Sequence, residues 1–311
     1  MRLFATVAPA ILDLAGDHII AGAPSNQISL GCYRSPLHGA KTRWDHFQRM
    51  HIYAPEQLHF NMMFLFESEL RNKCSYQGTL PYWDLSLENT AESFVKSPIF
   101  DNIYGFGGNG PYIEDISDDE EFPVKTPAEI PGRSGGGCVQ EGPFANLTVP
   151  IGLGSSVESY PHCLRQDFSP TLVASALRDE IIDRALSAPT YGEFNSHIQG
   201  YSFEFDGLTL HAGIHLGIGG AVGKEANGQD QNADMYSSPG DPLFYFVHGA
   251  LDKIWNDWQR RDWPARKTAI GGPDTMFAYP FNFFGDVPYE NNTLQYLLKY
   301  PNFGQVSPLA T

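Results

Sequence analysis

The chain has 311 residues, 42% of them apolar and 13% aromatic, which is the composition of a globular protein with a substantial core, not a disordered one. Its net charge is −16, and no cluster of basic residues interrupts that balance. The charge argues against nucleic acid or an anionic membrane surface as the main partner, and no apolar run is long enough to span a membrane.

The opening "MRLFATVAPAILDLAG" resembles a secretory signal in its early Arg and short apolar run, although Asp13 interrupts it. Secretion is therefore the expectation, and the sequons at Asn146 and Asn291 fit it. Residues 43–53 and 58–72 carry helical patterning. An aromatic, Pro- and Gly-broken loop, "SYQGTLPYWDLSLENT", follows them. Residues 100–168 are dominated by turn chemistry and predict a long irregular excursion. Within it, the acidic "DISDDEE" lacks the ligand alternation and central Gly of a calcium loop, so it reads as a solvated acidic stretch.

Helix is predicted again over 170–187, with Pro170 in the first turn, over about 207–217, and over 242–260. The polar stretch 221–238 reads as a loop, and the last forty residues show no clear period. The four cysteines, Cys32, Cys74, Cys138 and Cys163, form no CxxC motif. Two disulfides suit a secreted chain and three pairings exist. Cys138 with Cys163 is favoured because both lie in Gly/Pro-rich loop sequence; four buried thiols is the alternative.

The histidines carry the chemistry. On a helix, residues four apart differ by about 40° in azimuth, so His211 and His215 project from one face and can share a metal. Ala212 follows His211 where a zinc protease has Glu, which removes the HExxH reading. His248 lies in the apolar helical run "DPLFYFVHGALDKIWNDW", where a buried imidazole needs a partner. Asp252, one turn later, is placed to orient neighbouring groups behind the ligands.

"LHAGIHLGIGG" followed by "SSPGDPLFYFVHGALDKIWNDWQ" resembles the second copper-binding segment of the type 3 copper proteins, the tyrosinases, catechol oxidases and haemocyanins. "GAKTRWDHFQRMHIYAPEQLH" resembles the start of the first copper segment, and "SELRNKCSYQGTLPYWDLS" the helix end and loop that follow it. "GRSGGGCVQEGPFANLTV" and "YPHCLRQDFSP" are similar to the two cysteine-bearing stretches of the fungal branch. The resemblance implies a mainly α fold, a four-helix bundle carrying a dicopper centre, within one domain over 39–300. Residues 1–38 would then be an N-terminal segment and 301–311 a tail. It implies His211, His215 and His248 as ligands of the second copper, and His51 and His59 as ligands of the first.

By the same resemblance, Ala212 and Leu216 would line the substrate entrance, and no residue beyond the metal ligands would be catalytic. The implied partners are dioxygen and a small phenol. The implied reaction is oxidation of o-diphenols to o-quinones, with monophenol hydroxylation as a further option. Neither entrance residue can help deprotonate a monophenol, which tilts the reading towards diphenols.

The chain departs from the family pattern twice. Val247 stands where the family usually has a histidine beside the third ligand. More consequentially, His59 is followed directly by "FNMMFLFESEL", so the block that should carry the third ligand of the first copper is absent. Either coding sequence has been lost there, or the first site is weak or empty. His38, His46, His162 and His197 match no ligand position and read as surface or structural residues; His46 lies about 140° round a helix from His51. The rival readings are a non-enzymatic homologue holding at most one copper and a haemocyanin-like oxygen carrier.

Overall fold

The computed structural model describes residues 19–20, 59–103, 105–114, 130–151, 159–200, 207–219, 233, 238–274, 286 and 288–295. The predicted helix at 43–53, the acidic stretch at 115–121, nearly all of the 221–238 loop and the two ends of the chain lie outside these residues. The protein is mainly α. Among the described residues, no helix is long and apolar enough to cross a membrane.

A short strand β1 (Ile19–Ile20) precedes helix α1 (His59–Cys74), which matches the expectation over 58–72. Met62, Met63, Phe66 and Leu70 of α1 are buried in one core, at helical spacing. The helix stops at Ser75, whose φ of 55° turns the chain into the left-handed region. Strand β2 (Tyr82–Trp83) then pairs antiparallel with β1, Ile19 opposite Trp83. Buried Trp83 donates its indole N–H to Glu88 Oε2 at 2.9 Å, which accounts for a fully buried carboxylate. Helix α2 (Ala91–Val95) starts at a capping box between Thr90 and Ser93, and its Phe94 packs on Trp83, Phe100 and Phe168.

Among its described residues, the irregular excursion holds one small sheet, β3 (Thr148–Ile151) against β4 (Ser159–Cys163). Cys138 and Cys163 form a disulfide, with Cα atoms 5.7 Å apart. Just beyond it sits a buried polar brace. Asp167, fully buried, accepts from Arg133 Nε at 2.6 Å and from the backbone N–H groups of Ser134 and Gly135.

The expected single helix over 170–187 is two helices, α3 (Pro170–Ala176) and α4 (Asp179–Ser187). Arg178 is extended, with φ −58° and ψ 138°, and this break lets the two halves bury different faces. The apolar side of α3 packs on a later helix, whereas α4 packs on the next helix and on the long helix near the C-terminal end of the described chain. Helix α5 (Tyr191–Gln199) has no counterpart among the sequence expectations. Its signal was present: Thr190 accepts from the backbone N–H of Glu193, the T-x-x-E start of a helix.

Two helices complete the frame of the site, α6 (Leu210–Gly219) and α7 (Phe244–Arg260), followed by the short α8 (Trp263–Arg266). Helix α7 is the central element. Phe66 of α1 stacks on its Tyr245 with ring centroids 4.3 Å apart, and its Trp258 stacks on Phe194 of α5 at 5.0 Å. Trp258 also donates to the carbonyl of Ala188 at 2.8 Å, locking the far end of α7 to the α4–α5 turn. The polar brace holds the other ends. The Asp167 and Ser169 N–H groups donate to the carbonyls of Ile218 and Gly217 at 2.8 Å, satisfying the last turn of α6. Gln166 reaches Asp241 Oδ2 at 3.2 Å, and Asp241 caps the N–H of Leu243 just before α7.

Candidate metal centre

Helix α6 carries no charged residue, and its composition sorts by face. At about 100° per residue, Gly213 falls roughly 200° from His211, on the opposite side of the helix. A Cβ at Gly213 would stand 2.2 Å from the Cβ of Ala176, and one at Gly217 would stand 2.5 Å from Cγ2 of Val173. With no side chains at these two positions, α3 lies directly against α6. That contact turns the face bearing His211 and His215 away from α3.

Helix α7 supplies the third imidazole. His248 is 1% exposed, while His211 and His215 are half-buried. One ring nitrogen from each of the three lies within 4.8 Å of those of the other two, and among the described residues this is the only such group of three. Nε2 of His215 and Nε2 of His248 are 3.1 Å apart. The ring of Phe244, one turn before His248, lies 3.9 Å from the His248 ring at a 32° tilt, which fixes that ring's plane and shields one side of it. Nδ1 of His211 lies 2.6 Å from Oε1 of Gln199 at the end of α5.

Converging imidazoles without a carboxylate or thiolate among them form an all-nitrogen donor set, which suits copper. His248 is the buried anchor of the group, and His211 and His215 are half-buried beside it.

The remaining sequence-predicted residues are distributed as follows. Leu216 is 5% exposed in a small apolar cluster with Ile130, Leu172 and Leu208, and half-buried Ala212 packs against that cluster. Asp252 is half-buried on α7; burial, and then the charge of Glu67 on α1, push its carboxyl up to about 6. His59 is the first residue of α1, and His51 lies outside the described residues. Val247 is fully buried in the main core. Of the histidines read as non-ligands, His162 bonds the Tyr160 carbonyl through Nδ1 at 2.7 Å, and His197 sits on α5 apart from the trio. His38 and His46 lie outside the described residues.

The profile of the common central domain of tyrosinase matches residues 41–261, a span that includes all three clustered histidines. The chain belongs to the tyrosinase family. It is similar to tyrosinase P of Aspergillus terreus, 30% identical over 261 residues that cover 76% of this chain and 69% of that protein. It is also similar to oxidase hkm6 of Aspergillus hancockii, 30% identical over 235 residues, 70% of this chain and 77% of that one. A polyphenol oxidase variant from Thermothelomyces thermophila shares the fold, with a TM-score of 0.60 at 24% identity over 96% of this chain and 78% of that one. For this tyrosinase-family chain, membership implies copper as the cofactor and oxidation as the class of reaction.

Proposed function

We propose that this chain is a copper-dependent oxidase that converts o-diphenols to o-quinones, with dioxygen reduced to water at a two-copper centre. The observation that carries the reading is the convergence of His211, His215 and His248 from two helices that independent contacts hold rigid. Bound copper supplies the dioxygen binding and the electron transfer; the protein supplies geometry, access and exclusion of competing reactions. His211 and His215 would hold the ion from one helix face, and His248 from the shielded side, where Phe244 keeps its ring in plane.

Ala212 and Leu216 would border the approach of the substrate. Leu216 is covered by Ile130, Leu172 and Leu208, so a phenol entering there must first open that cluster. Neither residue accepts a proton, which favours substrates that need no deprotonation by the entrance, namely o-diphenols over monophenols. His51 and His59 would begin the first copper's ligand set.

A second reading is a homologue that holds a single copper at the trio and does not turn over. It is favoured by one observation: α1 runs unbroken from His59 to Cys74 with no further histidine in it. Metal analysis together with a catechol assay separates the two. Two copper ions per chain with quinone formation supports the oxidase, whereas one ion with no quinone supports the single-copper homologue.

A further inference from the structure

The two half-buried histidines of the trio share a helix, but a third helix reaches one of them. Gln199 is the last residue of α5, twelve positions before His211, and its Oε1 stands 2.6 Å from Nδ1 of that ring. A carbonyl oxygen can only accept, so Nδ1 must carry the hydrogen. A neutral imidazole has one donor and one acceptor, so the lone pair is then on Nε2. That is the atom type His215 and His248 already turn towards each other, Nε2 to Nε2 at 3.1 Å. The side-chain amide nitrogen of Gln199 lies 3.5 Å from Oδ1 of Asn195, a contact that agrees with the same orientation.

The backbone under Gln199 is fixed. Gly200 ends α5 at φ +108°, a conformation other residues rarely adopt, and a Cβ there would stand 2.9 Å from the Gly207 carbonyl. Thr209 Oγ1, two residues before His211, donates to the carbonyl of Ile198 at 3.1 Å, tying the end of α5 to the start of α6. Phe194 and Ile198 are buried, so α5 cannot slide along its neighbour without losing core packing.

We propose that Gln199 is a positioning residue: by accepting the Nδ1 hydrogen of His211 it fixes the ring's tautomer and plane and makes Nε2 the metal-binding atom. This rests on the copper reading above. Partners of this kind behind a metal-bound histidine commonly change metal affinity by about 10–100-fold when removed.

The test uses the full chain labelled with 15N-histidine. In the metal-free protein, two-dimensional NMR of the ring nitrogens should show His211 as the Nδ1–H tautomer. Gln199→Leu, which keeps the bulk and removes the acceptor, should release it to a mixture of tautomers. Gln199→Glu, which keeps an acceptor, should restore it. Copper(I) affinity measured by competition with a chromophoric chelator should fall about 10–100-fold in Gln199→Leu and stay near wild type in Gln199→Glu. An Nε2–H tautomer in the wild-type protein overturns the assignment without any variant, so a misfolded Gln199→Leu does not protect it. Wild-type copper binding unmoved by Gln199→Leu, or an equal loss in Gln199→Glu, overturns the role of Gln199 alone. Absence of copper from the wild-type trio overturns the copper reading and the role built on it.

Discussion

Replacing Gly213 by Ala adds one methyl group on the side of α6 opposite the histidines, and that methyl has nowhere to go. Its carbon would lie 2.2 Å from the Cβ of Ala176. Carbon atoms in contact settle at about 3.5–4.0 Å, so the two helices must separate by roughly 1.5 Å. Helix α3 resists: Val173, Ala176 and Leu177 are all fully buried, and Ser169 at its start donates its hydroxyl to the Pro131 carbonyl at 2.6 Å. Helix α6 therefore moves towards the metal side and carries His211 and His215 with it. Overpacking of this kind costs about 1–3 kcal/mol, partly offset by about 1 kcal/mol from replacing a helical Gly with Ala. Net stability should fall by about 1 kcal/mol, read by urea unfolding. Function should suffer more, because a displacement of about 1 Å in a reacting constellation can cost on the order of 100-fold. Copper affinity should drop at least tenfold. Two controls isolate the cause. Ala176→Gly removes the opposing methyl and leaves the nearest atom 3.6 Å from the new one, so the double variant should recover copper binding. Gly192→Ala, in α5 with nothing within 4 Å of its Cβ, should stabilise by about 0.5–1 kcal/mol. Unchanged stability and unchanged copper affinity in Gly213→Ala would refute the claim that α3 sets the direction of the histidine face.

The raised carboxyl of Asp252 links stability to pH. Its folded value of about 6 lies above the ordinary 3.8, so the folded chain keeps a proton that the unfolded chain has released, and stability from this group is lost as pH rises towards 6. Asp252→Asn should therefore gain on the wild type by about 2 kcal/mol between pH 4 and pH 7 in denaturant titrations, and a flat difference would count against the cause given. The disulfide joins positions 25 residues apart, and replacing both cysteines by Ser should cost about 3 kcal/mol in the chain-entropy picture. Non-reduced peptide mapping should recover the Cys138 and Cys163 segments as one species. Inserting a family-like block bearing a histidine between His59 and Phe64 should raise catechol oxidation well above that of the unmodified chain, and the same block with Ala for that histidine should not. Rapid turnover by the unmodified chain would show that another group completes the first site.

Patterns local in the sequence were the ones that could be read from it. Apolar residues in helical patterning marked α1 and α7 to within two residues, and the HxxxH spacing placed two imidazoles on one face of α6. The break at Arg178 was not legible, because "LVASALRDEIIDRALS" keeps helical composition throughout. What divides it is tertiary: α3 must fit the glycine face of α6 while α4 turns to α5 and α7. Helix α5 was legible in principle from the T-x-x-E spacing of Thr190 and Glu193. Gln199 was not, since its contact with His211 depends on how the chain between α5 and α6 returns. The burial of Leu216 against Ile130 and Leu172 is likewise set by segments distant in sequence.

The most direct test of the metal centre is copper content per chain, measured by mass spectrometry on copper-loaded, desalted protein, for the wild type and for His248→Ala. His248 is the buried member of the trio, and without it two half-exposed imidazoles leave the ion under-coordinated. The expected result is the loss of one copper ion per chain, repeated when His211 or His215 is replaced instead. Copper content that stays at the wild-type value in all three variants would contradict the assignment of His211, His215 and His248 as a metal site.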